Sequence, residues 1–329
     1  MAVSNSISTT TNNKPAPFSA VISSEGYKKL INNTLRDPKQ ANRFVASITS
    51  VVSTNPALQT CEPASIVSAA LLGESLNLAP SPQLGQYYMV PFKMKAKTGR
   101  NGEVLSPERT VAQFQLGYKG YIQLAIRSGY YKKINVLAIK EGELVRFNPL
   151  EEEITVNLIE DDNERDARPT CGYYAMFEYH NGFKKAMYWS KEKMVAHADK
   201  YSQAFSKDAT AGKYPKVSFA DFEAGKVDEK DMWKYSSFWY KDFDGMAYKT
   251  MLRQLISKWG IMSIDMQKAM DGDMGAINED GTVDYIDNTP AEPMAGNGNA
   301  DVIDVDPETG EVVGGAPAAE DDPTAGFFD

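Results

Sequence analysis

The sequence predicts an α+β fold with N-terminal helices, a central antiparallel sheet that contains a long hairpin, and further helices packed against the sheet. Three observations predict it. Apolar residues recur at helical spacing in the first third of the chain, and apolar and polar residues alternate as in strands through the middle. Helical spacing then returns in the segment before residue 260.

The first third predicts three helices. One covers residues 27–35, and a second runs from Pro38 to Ser53 with Phe44, Ile48, Val51 and Val52 at helical spacing. A third begins at Pro63, where the missing N–H of proline is tolerated in the first turn, and continues toward Leu76.

The middle of the chain predicts strands. Residues 86–97 and 108–117 form the two arms of a long hairpin with a basic tip, because turn-forming residues separate them. Further strands are predicted at Ile134–Lys140, Leu144–Phe147, Ile154–Leu158, Gly172–His180 and Phe183–Trp189, the last two joined by the turn His180-Asn181-Gly182. Ser190 is a suitable N-cap for a helix up to Tyr201, and a final helix is predicted from Asp244 to Trp259, ending at Gly260.

The formal net charge of −9 hides a strong asymmetry. No Lys or Arg follows Lys268, whereas residues 269–329 contain 16 acidic side chains. Residues 1–268 therefore carry 35 basic and 28 acidic side chains, a net charge of +7. This distribution is typical of a protein with a polyanionic partner such as nucleic acid, although a solvated surface followed by a solubility tail has the same composition.

Composition divides the chain into three parts. Residues 1–24 are rich in Ser, Thr and Asn and are expected to be disordered, residues 25–268 form the folded body, and residues 269–329 form an acidic, mostly disordered tail. The tail could compete with DNA for the basic body, dock a partner protein or serve solubility alone. Two cysteines and the absence of long apolar runs favour a reducing cytoplasm and no membrane partner.

Several enzyme classes lack their sequence signatures here. There is no GxxxxGK(S/T) loop for a P-loop ATPase and no HExxH, GxSxG or paired CxxC motif. The acidic residues 151–153 and 160–166 could collect a divalent cation, although a solvated loop explains them as well. His180 and His197 have no evident partners and are interpreted as structural or surface histidines.

Helical spacing also predicts a helix in the segment GYKGYIQLAIRSGYYKK, and both this helix and the last one carry basic stripes. Lys119, Gln123 and Arg127 follow one another at intervals of four residues, and Lys249 and Arg253 share a face of the last helix. Basic stripes near aromatic residues fit a groove that follows a phosphate backbone and stacks bases. Two amphipathic helices with solvated cationic faces would have the same pattern.

Four distinctive segments lie between residues 25 and 268: LNLAPSPQLGQYYMVPF, AQFQLGYKGYIQLAIRSGYYKKINVLAIKEGE, GYYAMFEYHNGFKKAMYWSKEKMVAHADKYS and MAYKTMLRQLISKWGIMS. In their wording, order and spacing they resemble the RecT family of phage single-strand annealing proteins.

The resemblance implies an ATP-independent recombinase with residues 25–268 as its annealing and oligomerisation core. Such a protein binds single-stranded DNA, anneals it to the complementary strand into a duplex, and assembles into rings or helical filaments in a bacterial cell. The implied fold is related to that of the phage lambda beta protein. The implied partners are a 5′-to-3′ exonuclease and, as a further candidate, the host single-strand binding protein. No cofactor is implied, and a divalent cation is expected only to modulate DNA binding.

Charge and position give the candidate DNA contacts. Phosphate contacts are expected first from the two basic stripes and the lysines after the first of them, and base contacts from nearby aromatic residues. Residues near the hairpin tip are expected to bind DNA or a neighbouring subunit. The full set is Lys119, Gln123, Arg127, Lys132, Lys133, Lys249 and Arg253, then Tyr88, Phe92, Tyr118 and Tyr121, then Lys93, Lys95, Lys97 and Arg100.

Two other functions remain possible on sequence alone. A sequence-neutral single-strand DNA-binding protein would share the charge and the aromatic residues but would protect strands instead of pairing them. A metal-dependent nuclease would need a carboxylate cluster on the sheet, and the sequence offers no such cluster.

Overall fold

The computed structural model describes residues 16–94, 96–98, 103–202, 204–273, 275–277 and 283–285. It confirms the α+β class, because helices pack against antiparallel sheets. Among the helices of the described ranges, none combines the length and the apolar character that crossing a membrane requires.

Four helices open the described chain: α1 (Phe18–Ile22), α2 (Glu25–Leu35), α3 (Pro38–Thr54) and α4 (Pro63–Ser75). The last three confirm the predicted helices, and Pro63 occupies the first turn of α4 as expected. Helix α1 lies within the segment that was expected to be disordered, and its Ile22 is buried in the core. Of that predicted segment, residues 1–15 lie outside the described residues.

The long hairpin is the basis of the first sheet. Strand β1 (Tyr87–Met94) pairs antiparallel with β4 (Arg109–Leu116) in a register that runs from Tyr87 opposite Leu116 to Met94 opposite Arg109. Two short strands, β2 (Lys97–Thr98) and β3 (Val104–Ser106), pair with each other between the two arms.

The second sheet has three antiparallel strands. Strand β5 (Tyr131–Lys140) pairs with β8 (Thr170–Tyr179), which pairs with β9 (Lys184–Ser190). Strands β6 (Leu144–Asn148) and β7 (Glu153–Val156) form a separate hairpin that precedes the short helix α6 (Asp162–Ala167). The predicted turn after β8 is confirmed, and Gly182 adopts a φ of 87° there.

Over the residues that the structure describes, one helix lies between β4 and β5 in the chain, and five more follow β9. They are α5 (Tyr118–Arg127), α7 (Lys191–Tyr201), α8 (Phe219–Glu223), α9 (Phe238–Lys241), α10 (Phe243–Trp259) and α11 (Ile264–Gly272), with short 3₁₀ segments at Leu58–Thr60 and Glu229–Lys234. Ser190 caps α7 by accepting the N–H of Lys193, as expected. Helix α10 contacts α5 and all three strands of the second sheet, so it lies at the centre of the core.

The folded body continues beyond Lys268. Strand β10 (Gly275–Ile277) pairs with β4 and with β11 (Val283–Tyr285), which extends the first sheet to the order β1-β4-β10-β11. Ala269 and Asp273 are buried. These residues were expected in the acidic tail, and the structure corrects that placement. The tail prediction for residues 286–329 lies outside the described residues.

Two glycines let the chain cross itself at the start of α5. A Cβ atom on Gly117 would overlap the carbonyl oxygen of Gly85, and one on Gly120 would overlap that of Gln86. The segment before β1 therefore lies directly on the N-terminal turn of α5. The residues Gly117-Tyr118-Lys119-Gly120 place an exposed lysine between two positions where only glycine fits.

We expect G117A and G120A each to lower the free energy of unfolding by about 1–3 kcal/mol, because the added methyl group would have to displace backbone. The measurement is urea unfolding followed by circular dichroism. G26A is the control, since Gly26 lies in α2 with no atom near its Cβ position. Alanine there should leave stability unchanged or raise it by up to about 1 kcal/mol. Equal stability of all three variants would contradict the close approach.

Candidate nucleic-acid interface

Helix α5 presents the predicted basic stripe to solvent. Lys119, Gln123 and Arg127 are exposed, while Tyr121 and Leu124 on the opposite side are buried. The four-residue spacing of the stripe places it on one side of the helix, as expected. The stripe is therefore available to a ligand.

Arg127 also has a structural role. Its guanidinium donates hydrogen bonds to the backbone carbonyls of Leu76 (2.7 Å) and Asn77 (3.3 Å). Leu76 is the C-cap residue of α4, whose last carbonyls have no partner within the helix. Arg127 thus ties α5 to the end of α4, and a phosphate at its exposed side would share the guanidinium with these carbonyls.

Two further lysines extend this basic surface. Lys132 and Lys133 are exposed at the start of β5, close in sequence to the end of α5. Lys132 forms a salt bridge of 2.7 Å with Glu178 on the neighbouring strand. Within the described part of the chain, Lys119 and Lys133 have no acidic side chain within 4 Å. These two ammonium groups are accessible to an external anion.

The second predicted stripe, on α10, is largely buried. Lys249 is 7% exposed and donates a hydrogen bond of 2.8 Å to Oδ1 of Asp273, whose side chain is fully buried. Arg253 reaches Oδ2 of the same carboxylate at 2.7 Å, and its side chain remains 39% exposed. The assignment of Lys249 to a phosphate contact is therefore corrected, because its ammonium faces Asp273 in the interior.

Asp273 also organises the end of β4 and the core side of α5. Its carboxylate accepts the backbone N–H of Leu116 at 2.9 Å and the hydroxyl of Tyr121 at 3.3 Å. Burial raises the pKa of Tyr121, and the neighbouring Asp273 raises it further. Tyr121 is thus a buried hydrogen-bond donor, which corrects its assignment to a base contact.

Burial lowers the pKa of Lys249, and the carboxylate of Asp273 opposes that shift. A buried ammonium is tolerated only when it is paired and hydrogen-bonded. The ion pair with Asp273 therefore stabilises the buried position of Lys249. Because Asp273 directly follows α11, this ion pair forms only when α11 is in place.

The other proposed base-contact residues are half-buried. Tyr88 packs against Phe238 with ring centroids 5.5 Å apart, and Tyr118 meets Tyr248 edge-on at 5.4 Å. Phe92 lies on β1, opposite Val111. The structure leaves each ring partly accessible, so their contact with bases stays a prediction.

The hairpin-tip cations are described only in part. Lys93 is exposed and forms a salt bridge of 3.4 Å with Glu108. Lys97 belongs to β2, but its side chain is not described. Lys95 and Arg100 lie outside the described residues, so their predicted contacts remain untested.

The second acidic run, residues 160–166, forms helix α6 and its cap. Asp161 accepts the N–H of Glu164, and Nε of Arg165 donates a hydrogen bond of 2.6 Å to Oε1 of the buried Glu143. Burial raises the pKa of Glu143, but the hydrogen bonds from Arg165 and from two backbone amides outweigh it and lower that pKa. Within the described ranges, no group of three or more His, Cys, Asp or Glu residues is arranged to hold a metal ion.

A cationic and aromatic stripe on α7 was not found by the sequence analysis. The ring of His197 lies between those of Trp189 (5.4 Å) and Tyr201 (4.6 Å). Lys193 lies over Trp189 at 4.6 Å, and Lys200 over Tyr201 at 5.2 Å. The available signal was the spacing 193, 197, 200 and 201, which places these residues on one side of a helix.

Comparison with known proteins identifies the family. The model of the RecT family matches residues 42–292, about three quarters of the chain. The chain belongs to the RecT family. It is 36% identical over 288 residues to the Bacillus subtilis (strain 168) protein named "Uncharacterized protein YqaK", covering 88% of this chain and 80% of that one. It is 26% identical over 265 residues to "Protein RecT" of Escherichia coli (strain K12), covering 80% of each chain.

Membership of the RecT family implies single-strand annealing in DNA recombination. Proteins of this family act on single-stranded DNA, oligomerise and are generally not catalysts. The matched region includes both α5 and α7, and it ends beyond Asp273. The family match therefore spans the buried carboxylate and both cationic stripes.

We expect D273N to lower the free energy of unfolding of this RecT family member by about 3–5 kcal/mol, because the substitution removes the buried negative charge that Lys249 and Arg253 share. D265N, at an exposed position in the first turn of α11, should cost less than about 1 kcal/mol. Urea unfolding of both variants is the measurement. A D273N protein as stable as D265N would show that the buried carboxylate does not hold the core together.

Proposed function

We propose that this protein binds single-stranded DNA and anneals complementary strands without ATP, as an oligomer, during homologous recombination. The family match over residues 42–292 is the observation that carries the proposal. Exposed cations on α5 and at the start of β5 support it, because pairing two polyanions requires that their phosphates be neutralised. Annealing makes and breaks no covalent bond, so the proposal needs no catalytic group and no cofactor.

The proposed partners follow from the same activity. A 5′-to-3′ exonuclease would supply the single strands, and the host single-strand binding protein would occupy the strands before annealing. A divalent cation would act only by screening phosphates, which reduces repulsion between the two strands.

A sequence-neutral single-strand DNA-binding protein without annealing activity is the alternative. Both functions need the same salt-dependent contacts with phosphates. They differ in what happens to the bases, because a protective protein covers them whereas an annealing protein leaves them accessible for pairing. Only a pairing assay separates the two.

We expect the full-length protein to accelerate pairing of two complementary oligonucleotides in the absence of ATP, measured by fluorescence energy transfer between labelled strands. The K119E/K133E variant should bind single strands more weakly. The slope of log affinity against log salt concentration should become shallower by about 1.4, since each lost phosphate contact removes about 0.7. The loss should be similar for all sequences, because phosphate contacts carry no sequence information.

K29E/K39E is the matched control for charge, since both lysines are exposed on the N-terminal helices. It should retain the salt slope of the unmodified protein. Tight binding without accelerated pairing would favour the protective alternative, and binding that is insensitive to salt would contradict both functions.

We expect single-stranded DNA to drive assembly into large particles, measured by light scattering as strand length increases. One subunit spans only a few nucleotides, so holding two strands in register over a useful length requires many subunits. Efficient annealing by a protein that stays monomeric on every strand length would contradict this expectation.

A further inference from the structure

Helix α7 carries a continuous stripe of cations and aromatic rings that the proposed DNA contacts do not include. Its buried side consists of Met194, Val195 and Ala198, which fixes the opposite side toward solvent. Lys193 and Lys200 are exposed on that side, and Tyr201 is 38% exposed. At a rise of about 1.5 Å per residue, the stripe is roughly 12 Å long, about the length of three to four nucleotides in a stacked strand.

The rings and cations of the stripe are in mutual contact. His197 lies between Trp189 and Tyr201, and each outer ring has a lysine over its face, at 4.6 Å for Lys193 and 5.2 Å for Lys200. Cation–π contacts of this kind hold flexible lysines near one position. The stripe therefore presents two positioned ammonium groups beside an accessible tyrosine ring.

Cations from two helices act on the imidazole at the centre of the stripe. Burial is the main cause that lowers the pKa of His197, and the positive charges of Arg253, Lys200 and Lys193 add to the shift, which brings the pKa to about 4. Arg253 comes from α10, where Asp273 accepts one of its hydrogen bonds, so cations from two elements act on the same imidazole. Asp199, on the same helix, accepts the backbone N–H of Lys207 at 2.8 Å.

We propose that the α7 stripe of Lys193, His197, Lys200 and Tyr201, together with Arg253, is a binding surface for the phosphate backbone of single-stranded DNA. This inference rests on the proposed function and adds a surface to it. A polyanion fits because cations from α7 and α10 converge near His197 and the two lysines of α7 are exposed. Tyr201 adds a partly exposed ring on which a base can stack.

Charge reversal tests the surface directly. K193E/K200E should weaken binding to a short oligonucleotide by at least about tenfold at low salt and make the salt slope shallower by about 1.4. Binding is measured by fluorescence anisotropy at salt concentrations from low to physiological. K29E/K39E is the control for charge, and it should bind like the unmodified protein.

A second measurement uses the small number of histidines. The chain has two, so labelled histidine gives two ring signals, from His197 and from His180 in the β8–β9 turn. Phosphates bound at the stripe would stabilise the imidazolium, so the pKa of His197 should rise from about 4 by roughly 1 or more when a short oligonucleotide is bound. The His180 signal is the internal control.

The outcomes are separable. If the unmodified protein does not bind single-stranded DNA, the proposed function fails before any variant is compared. If it binds and anneals while K193E/K200E keeps the salt slope and the pKa of His197 does not respond to DNA, the α7 inference is overturned and the function stands. If K193E/K200E binds short oligonucleotides normally but no longer assembles, the stripe contacts a second copy of the chain, which also overturns the inference.

Discussion

The buried carboxylate of Asp273 is the interaction on which the arrangement of the core depends. It accepts hydrogen bonds from the end of β4, from Tyr121 on α5, and from Lys249 and Arg253 on α10. Burying the ammonium of Lys249 without the carboxylate of Asp273 would cost several kcal/mol. The packing of these elements therefore depends on the segment after α11, which places Asp273 beside them. Asp273, which follows the last lysine of the chain, thus links the end of β4, α5 and α10.

The packing around Asp273 distinguishes buried basic residues from exposed ones, although the two kinds follow the same helical spacing in the sequence. Lys249 faces the interior because its helix is covered on several sides by α5 and the second sheet. Lys119 is exposed, and its aliphatic stem lies beside Gly85 in the segment that approaches Gly117 and Gly120. Arg127 and Arg253 lie between these extremes, since each guanidinium binds the protein and keeps an exposed side. The surface available to DNA is what remains after these internal contacts are satisfied.

Local sequence determined much of the fold. Helical spacing identified α2 to α5 and α10, and the N-cap Ser190 identified α7. Alternation with turn residues identified the β1–β4 and β8–β9 hairpins. These patterns reflect contacts between residues close in the chain. The α5 stripe was found for the same reason. Short elements such as α1, α11 and β10 were missed, since three to nine residues carry little periodicity and are stabilised by distant partners.

The sequence by itself determined the α+β class, the family resemblance and the exposed cations of α5. Tertiary structure alone decided that Lys249 and Tyr121 are buried, that Asp273 belongs to the core, and that Trp189 and Arg253 lie near His197. The physical reason is that spacing along a helix defines which residues share a side, whereas the partner that covers that side comes from elsewhere in the chain. Composition gave residues 269–277 the charge of a tail, and long-range pairing with β4 and α10 made them part of the folded body.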